Sequence, residues 1–244
     1  MGVFCFKANC NTFHSYKGNI NLEKFLQIPI AHRGLYDNKT IPENSLAAFQ
    51  KSIEKGYPIE LDLRLMKDNN IAVFHDNNLY RMTGAKGHIH KMNKQNLSSL
   101  RLLGTEEKIP LFEEMLELVA GKVPLIIELK SRLLPGIFEE TLLKVLRNYN
   151  RLYAIESFNP LTVLWFKLNA PEITRGMLSR SVYRAILYTS FIPVDFLAVN
   201  IRHLPKKILW KKNKPIIGYT AKSKEEMTEA GRICDNIIFE KFLP

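Results

Sequence analysis

The sequence predicts an α/β fold, a single (β/α)8 barrel, on three observations. Short apolar runs of strand length alternate with stretches of helical spacing from Ile28 almost to the end of the chain, the pattern of a parallel sheet with helical crossovers. The 244 residues, 46% of them hydrophobic, suffice to bury the core of one such barrel. The stretch from Ile28 to Asp76 carries two histidines, an arginine and several carboxylates among its apolar runs, and core strands accept ionisable side chains only with partners. Polar groups at the ends of buried strands mark a site.

Taken in order, residues 1–27 have weak periodicity and read as an N-terminal extension to a barrel domain over 28–244. Pro29-Ile30-Ala31 forms a short strand leading into His32-Arg33-Gly34, where Gly34 permits a sharp turn. After Pro42-Glu43-Asn44, apolar residues at 46, 49 and 53 have helical spacing, with Asn44 the expected N-cap and Gly56 the stop. Ile59 to Leu63 is a strand whose Glu60 and Asp62, two apart, share a face. Lys67 to Asn70 has turn composition, and Ile71 to Phe74 is a strand ending at His75-Asp76. Residues 77–109 are polar and irregular, an insertion or lid after the third strand.

An amphipathic helix from Leu111 to Val119 precedes the strand Val123 to Lys130, which exits in Glu128 and Lys130. Ile137 to Asn150 is a helix, Tyr153 to Phe158 a strand, and Pro160 to Leu168 a helix. Arg175 to Leu178, Phe196 to Asn200, Ile216 to Thr220 and Asn236 to Phe239 are further strands, with a helix at Lys222 to Arg232. This gives nine strands, one too many for the barrel. No helix separates 59–63 from 71–74, so one of these, or the last, is expected outside it.

With 35 Lys+Arg against 24 Asp+Glu, the net charge of +11 favours partners bearing phosphate or carboxylate. Three cysteines, Cys5, Cys10 and Cys234, lack metal-ligand spacing and read as reduced thiols in a cytoplasmic protein. Lys7 and Asn9 interrupt the N-terminal apolar residues, so no signal peptide is expected, and Phe6 disfavours myristoylation. The run Ala185 to Val194 is too short to span a bilayer, and a soluble chain is expected.

In a parallel barrel every strand delivers its C-terminal end to one face. That geometry would gather His32, Arg33, Glu60, Asp62, His75, Glu128 and Lys130 at one mouth. Three carboxylates meeting there repel one another unless a cation lies between them, and an all-oxygen set suits Mg²⁺ or Ca²⁺ better than Zn²⁺. His32 and His75 are then available for proton transfer, and Arg33 and Lys130 supply charge for a phosphate. Glu128 and Lys130 also have the option of pairing with each other. These are the parts of a metal-assisted phosphodiester cleavage.

The order HRG, PEN, ELD, HD and IELK resembles the glycerophosphodiester phosphodiesterase family, as do RMTGAKGHI, IPLFEEML and ESFNP. The likeness is strong over 28–160 and fades beyond. It implies a TIM barrel, one divalent ion on Glu60, Asp62 and Glu128, His32 and His75 as acid–base pair, phosphate contacts from Arg33 and Lys130, and a supporting Glu43. It also implies cleavage of a small-molecule glycerophosphodiester to glycerol 3-phosphate and an alcohol, with no nucleic-acid partner. By further resemblance to phosphoinositide-specific phospholipase C, a substrate hydroxyl attacks and forms a cyclic phosphate; direct attack by water is the other route.

The chain departs from the family at its end. Family members commonly have Trp-Thr where this chain has Tyr219-Thr220, and Thr-Asp-x-Pro where it has Phe239 to Pro244. Two alternatives stand beside the main reading: a lysophospholipase D-type lipid phosphodiesterase whose 77–109 insertion admits an acyl chain, and a non-catalytic anion- or membrane-binding relative. The basic run Arg202 to Lys212, with Trp210, reads first as a solvated outer helix and second as a weak contact with anionic membrane. His88 and His90 read as surface residues of the insertion. Oligomeric state is left open.

Overall fold

The computed structural model describes residues 20–131, 134–205 and 214–244. Its strands are β1 (Ile30–His32), β2 (Ile59–Leu65), β3 (Ile71–Val73), β4 (Leu125–Leu129), β5 (Tyr153–Ser157), β6 (Arg175–Ser179), β7 (Phe196–Asn200), β8 (Ile216–Ala221) and β9 (Asn236–Phe239). Eight of the nine are parallel and close on themselves in the order β1-β2-β4-β5-β6-β7-β8-β9, with β9 returning to β1. The supernumerary strand is β3. It lies antiparallel on β2, with Leu63 opposite Val73 and Leu65 opposite Ile71. A parallel return needs a crossover of a dozen or more residues, and the 66–70 turn, closed by Met66 N donating to Asn70 O at 2.9 Å, leaves no room for one.

Period-two alternation divides each barrel strand between two environments. Ile59, Leu61 and Leu63 of β2 and Leu125, Ile127 and Leu129 of β4 point outward into a core shared with Phe49, Phe112, Met115, Leu142 and Phe166 of the surrounding helices. The intervening residues point inward. Near the N-terminal end of the barrel these are apolar: Ile30, Ile126, Ala154, Leu178, Phe196, Ala198, Ile217 and Ile238 form one interior cluster. Gly176 makes space for it, because a Cβ there would lie 2.2 Å from the Phe196 ring. Further along the same interior faces stand His32, Glu60, Asp62, Glu128 and Glu156.

Leu22 and Phe25 belong to the interior cluster too, carried by the short helix Ile20–Lys24 and the turn after it. They close the bottom of the barrel, and Asn236 Nδ2 fixes the segment by donating to the Phe25 carbonyl at 2.5 Å and the Ile28 carbonyl at 2.8 Å.

Two local expectations are corrected. The helix Leu46–Lys55 is capped by Ser45, whose Oγ accepts from Ala48 N at 3.1 Å. Asn44 instead takes a left-handed backbone (φ 57°) and donates from Nδ2 to Asp62 Oδ2 at 2.8 Å. The 77–109 insertion is ordered by its own core, in which Leu79, Met82, Ile89, Leu97, Leu102 and Ile109 pack on Met66, Ala72 and Phe74. Those apolar residues follow no single period, so the sequence pattern conceals them. Of the basic run Arg202 to Lys212, residues 206–212 lie outside the described residues.

Phe25 is fully buried. Phe25→Ala should therefore cost about 3–5 kcal/mol in urea unfolding, and a loss under about 1 kcal/mol would remove Phe25 from the barrel core.

Candidate active site

Strand register assembles the site. His32 pairs with Glu60 across β1 and β2, Asp62 with Glu128 across β2 and β4, and Glu128 with Glu156 across β4 and β5. Neighbouring strands run about 4.8 Å apart, so an interior row of carboxylates follows from the alternation alone. Glu60, Asp62 and Glu128, all buried, each offer an oxygen within 4.8 Å of the others. Two oxygens on one Ca²⁺ lie no more than about 5 Å apart at Ca–O lengths of about 2.3–2.6 Å. The three could hold a divalent cation.

Two cations face this cluster. Lys130 Nζ lies 2.9 Å from Asp62 Oδ1 and 2.6 Å from Glu128 Oε1. Arg33 Nε lies 3.0 Å from Asp62 Oδ2, and its Nη1 donates to Glu43 Oε1 at 2.7 Å. The turn that places Arg33 depends on Gly34 (φ 78°), where a Cβ would come within 2.8 Å of the Ala48 backbone. That turn also aims Arg33 N at Glu60 Oε2, 3.2 Å away.

The electrostatics report a deficit of positive charge. Burial, then Asp62, Glu128 and Glu156, push Glu60 well above the usual carboxylate range. Glu128 is pushed up to about 7 by burial against the opposing pull of Lys130. Burial and Glu128 likewise raise Glu156, whose buried Oε2 has no hydrogen-bond partner among the described residues. Only Asp62 goes the other way: burial would raise it, but Lys130 and Arg33 prevail and hold it well below the usual range. The all-oxygen donor set and the unbalanced negative charge both fit a hard divalent cation.

Each histidine is backed by a carboxylate. His32 Nδ1 lies 2.6 Å from Glu240 Oε2, and its Nε2 faces Glu60 Oε2 at 3.8 Å. His75 Nδ1 lies 2.6 Å from Asp76 Oδ1. A carboxylate only accepts, so the proton sits on Nδ1 and leaves Nε2 open in both. Burial is the chief influence on both imidazoles and lowers them below the ordinary histidine range.

The structure thus brings His32, Arg33, Glu60, Asp62, Glu128 and Lys130 to one mouth. His75 joins them from the end of β3, held by its backbone oxygen, which accepts from Arg64 Nε at 2.8 Å. His88 and His90 stay apart and bond Asn77.

Sequence reasoning missed Glu240, Glu156, Asp76 and Arg81. Glu240 and Glu156 were findable by the strand-exit rule that selected Glu128, since Glu240 follows β9 and Glu156 lies in β5. Asp76 stands in the HD pair and Arg81 in RMTGAKGHI.

The sequence profile of the glycerophosphoryl diester phosphodiesterase family matches residues 32–230. The chain belongs to this family. Membership of the glycerophosphoryl diester phosphodiesterases places it among enzymes of phosphoric diester hydrolysis. A glycerophosphodiester phosphodiesterase of Caldanaerobacter subterraneus subsp. tengcongensis is 37% identical over 163 residues, 61% of this chain and 65% of that one. One from Bacillus altitudinis is 32% identical over 186 residues, 70% of this chain and 75% of that one. The fold matches an Oleispira antarctica phosphodiesterase solved with its product sn-glycerol-3-phosphate, at a TM-score of 0.77, 22% identity and coverage of 89% and 94%.

Stability should follow these carboxylates. Glu43 is driven up by burial but held at about 2 by Arg81, Arg33 and Asn38. Asp76 is held at about 2 by Arg81 and His75 against burial. Their contribution is complete above the unfolded value of about 4 and disappears as pH falls toward 2. Glu128, raised to about 7, acts oppositely: in chelator-treated protein, stability rises as pH drops from about 7 toward 4.5. Melting temperature against pH should therefore peak between, near pH 5, and Glu43→Gln should flatten the acid limb.

Proposed function

We propose that this chain hydrolyses glycerophosphodiesters to glycerol 3-phosphate and an alcohol. The observation that carries the reading is the meeting of Glu60, Asp62 and Glu128 within 4.8 Å, at a mouth flanked by two carboxylate-backed imidazoles.

In this reading Glu60, Asp62 and Glu128 hold one divalent cation, Mg²⁺ or Ca²⁺, which when bound neutralises phosphoryl charge and acidifies a hydroxyl. Arg33 and Lys130 carry the positive charge that draws in and orients the phosphodiester. His32 and His75 divide the proton transfers: the neutral one takes the proton of the attacking hydroxyl on Nε2, and the other, entering the step as the imidazolium, gives its Nε2 proton to the leaving oxygen. Glu240 fixes His32 for that task. Its carboxyl is driven up by burial but brought well below the usual range by His32, the Tyr36 hydroxyl and Lys222, so it stays an acceptor. Tyr219, whose hydroxyl donates to Ser179 O at 3.0 Å, meets Phe158 edge to face and walls the other side of the mouth.

No helix among the described residues is long and apolar enough to cross a membrane. The substrate is proposed as a small molecule met in solution.

Two measurements test the reading. Chelator-stripped protein should lose release of glycerol 3-phosphate from glycerophosphocholine and regain it with Mg²⁺ or Ca²⁺; unchanged release would sink the metal role. His75→Ala should lower turnover about 10²–10⁴-fold with little change in melting temperature, and wild-type turnover would remove His75 from the chemistry.

A further inference from the structure

Arg81 stands in the short helix Tyr80–Thr83 that begins the insertion, beside Leu79 and Met82 of the insertion's own core. Its guanidinium grips two carboxylates at once. Toward Glu43, Nη2 donates to Oε1 at 2.6 Å and Nη1 to Oε2 at 3.1 Å. Toward Asp76, Nε donates to Oδ2 at 2.6 Å and Nη2 to Oδ1 at 3.1 Å. Each of these carboxylates has a second partner in the site. Glu43 Oε1 also accepts from Arg33 Nη1 at 2.7 Å, and Asp76 Oδ1 lies 2.6 Å from His75 Nδ1.

The arrangement suits orientation better than stability. The Arg81 side chain is 47% exposed, so solvent screens its share of the pairing, and buried Glu43 has Arg33 and Asn38 as well. What a guanidinium uniquely supplies is a rigid planar fork of donors, here spread over two carboxylates; a lysine ammonium offers a single point. The two arms are not equally dependent on it. Arg33 keeps a contact to Asp62 at 3.0 Å and Glu43 keeps Asn38 at 2.8 Å, so that side is held without Arg81. Asp76 is more open, and among the described residues its side chain bonds only Arg81 and His75. Freed of Arg81, its carboxylate would turn to water and leave the imidazole without the acceptor that keeps its proton on Nδ1.

We infer that Arg81 is a positioning residue, locking Asp76 behind His75 and Glu43 behind Arg33, so that the insertion serves the site as a brace. This rests on the roles proposed above for His75 and Arg33.

The test compares wild type, Arg81→Ala and Arg81→Lys by steady-state kinetics on glycerophosphocholine and by nitrogen-15 spectra of histidine-labelled protein. Arg81→Ala should lower kcat about 10- to 100-fold, the usual effect of losing an outer partner. KM should move much less, and the melting temperature should fall by only part of the loss expected of Glu43→Gln, since Arg33 and Asn38 still hold Glu43. The His75 signals should pass from one tautomer to an average of two. Added guanidinium should restore kcat where methylammonium does not, and Arg81→Lys should remain impaired. Wild-type kcat with unchanged His75 signals in Arg81→Ala would overturn the inference, as would a lowered kcat that guanidinium does not restore. Should the wild type turn over no diester while Arg81→Ala still shifts the His75 signals, the enzymatic reading fails and the positioning role stands.

Discussion

The constraint on which this structure turns is the burial of four carboxylates, Glu60, Asp62, Glu128 and Glu156, on the inner faces of three adjacent strands. Carboxylates so placed are costly unless neutralised. Of the four, Asp62 alone is reached by the side chains of both facing cations, Arg33 at 3.0 Å and Lys130 at 2.9 Å, while Lys130 also pairs with Glu128 at 2.6 Å. Hence Asp62 stays ionised while Glu60, Glu128 and Glu156 are pushed toward neutrality. A barrel interior filled to the top with apolar side chains would be easier to fold. Acids gathered at one end create a demand for positive charge, which a divalent cation could meet.

That demand explains the division of the interior into layers. The N-terminal half is closed by Phe196, Ile126 and the plugging pair Leu22 and Phe25, which exclude water from below. Field lines from the acids are then directed to the open mouth. Around the mouth the loops supply what the strands cannot: the Arg33–Gly34 turn after β1, Asn44 beside Asp62, the Glu43–Arg81–Asp76 bridge from the insertion, and Glu240 after β9. Strands fix His32 and the four carboxylates, and loops fix the groups that pair with them.

The split between strands and loops is also the split between what the sequence made legible and what it hid. Glu60, Asp62 and Glu128 could be placed because strand alternation is local and register follows from it. The pairing of His32 with Glu240 could not, since that bond joins residues 208 apart: the strand-exit rule marks Glu240 as a candidate without naming its partner, whereas Asp76 stands beside His75 in the HD pair. Asn44 was misread for a related reason. An asparagine before a helix is a natural N-cap, yet here a tertiary bond to Asp62 outcompetes the local one and Ser45 takes the cap. The insertion looked irregular because its apolar residues are joined by packing, not spacing. The antiparallel β3 was flagged only as one strand too many, though the brevity of its connection to β2 already forbade a crossover.

The divergent end of the chain becomes intelligible on the same footing. The chain ends in Phe239 to Pro244, and from it the Glu240 carboxylate reaches back to His32. That carboxylate is fastened at both oxygens. Tyr36 donates its hydroxyl to Glu240 Oε2 at 2.6 Å, and Lys222 Nζ lies 3.1 Å from Oε1. With both oxygens engaged, the flexible side chain has one place to go, and Oε2 sits 2.6 Å from His32 Nδ1. Held in this way, Glu240 presents the imidazole with a fixed acceptor, and its contacts to Tyr36 and His32 tie the end of the chain to the start of the barrel.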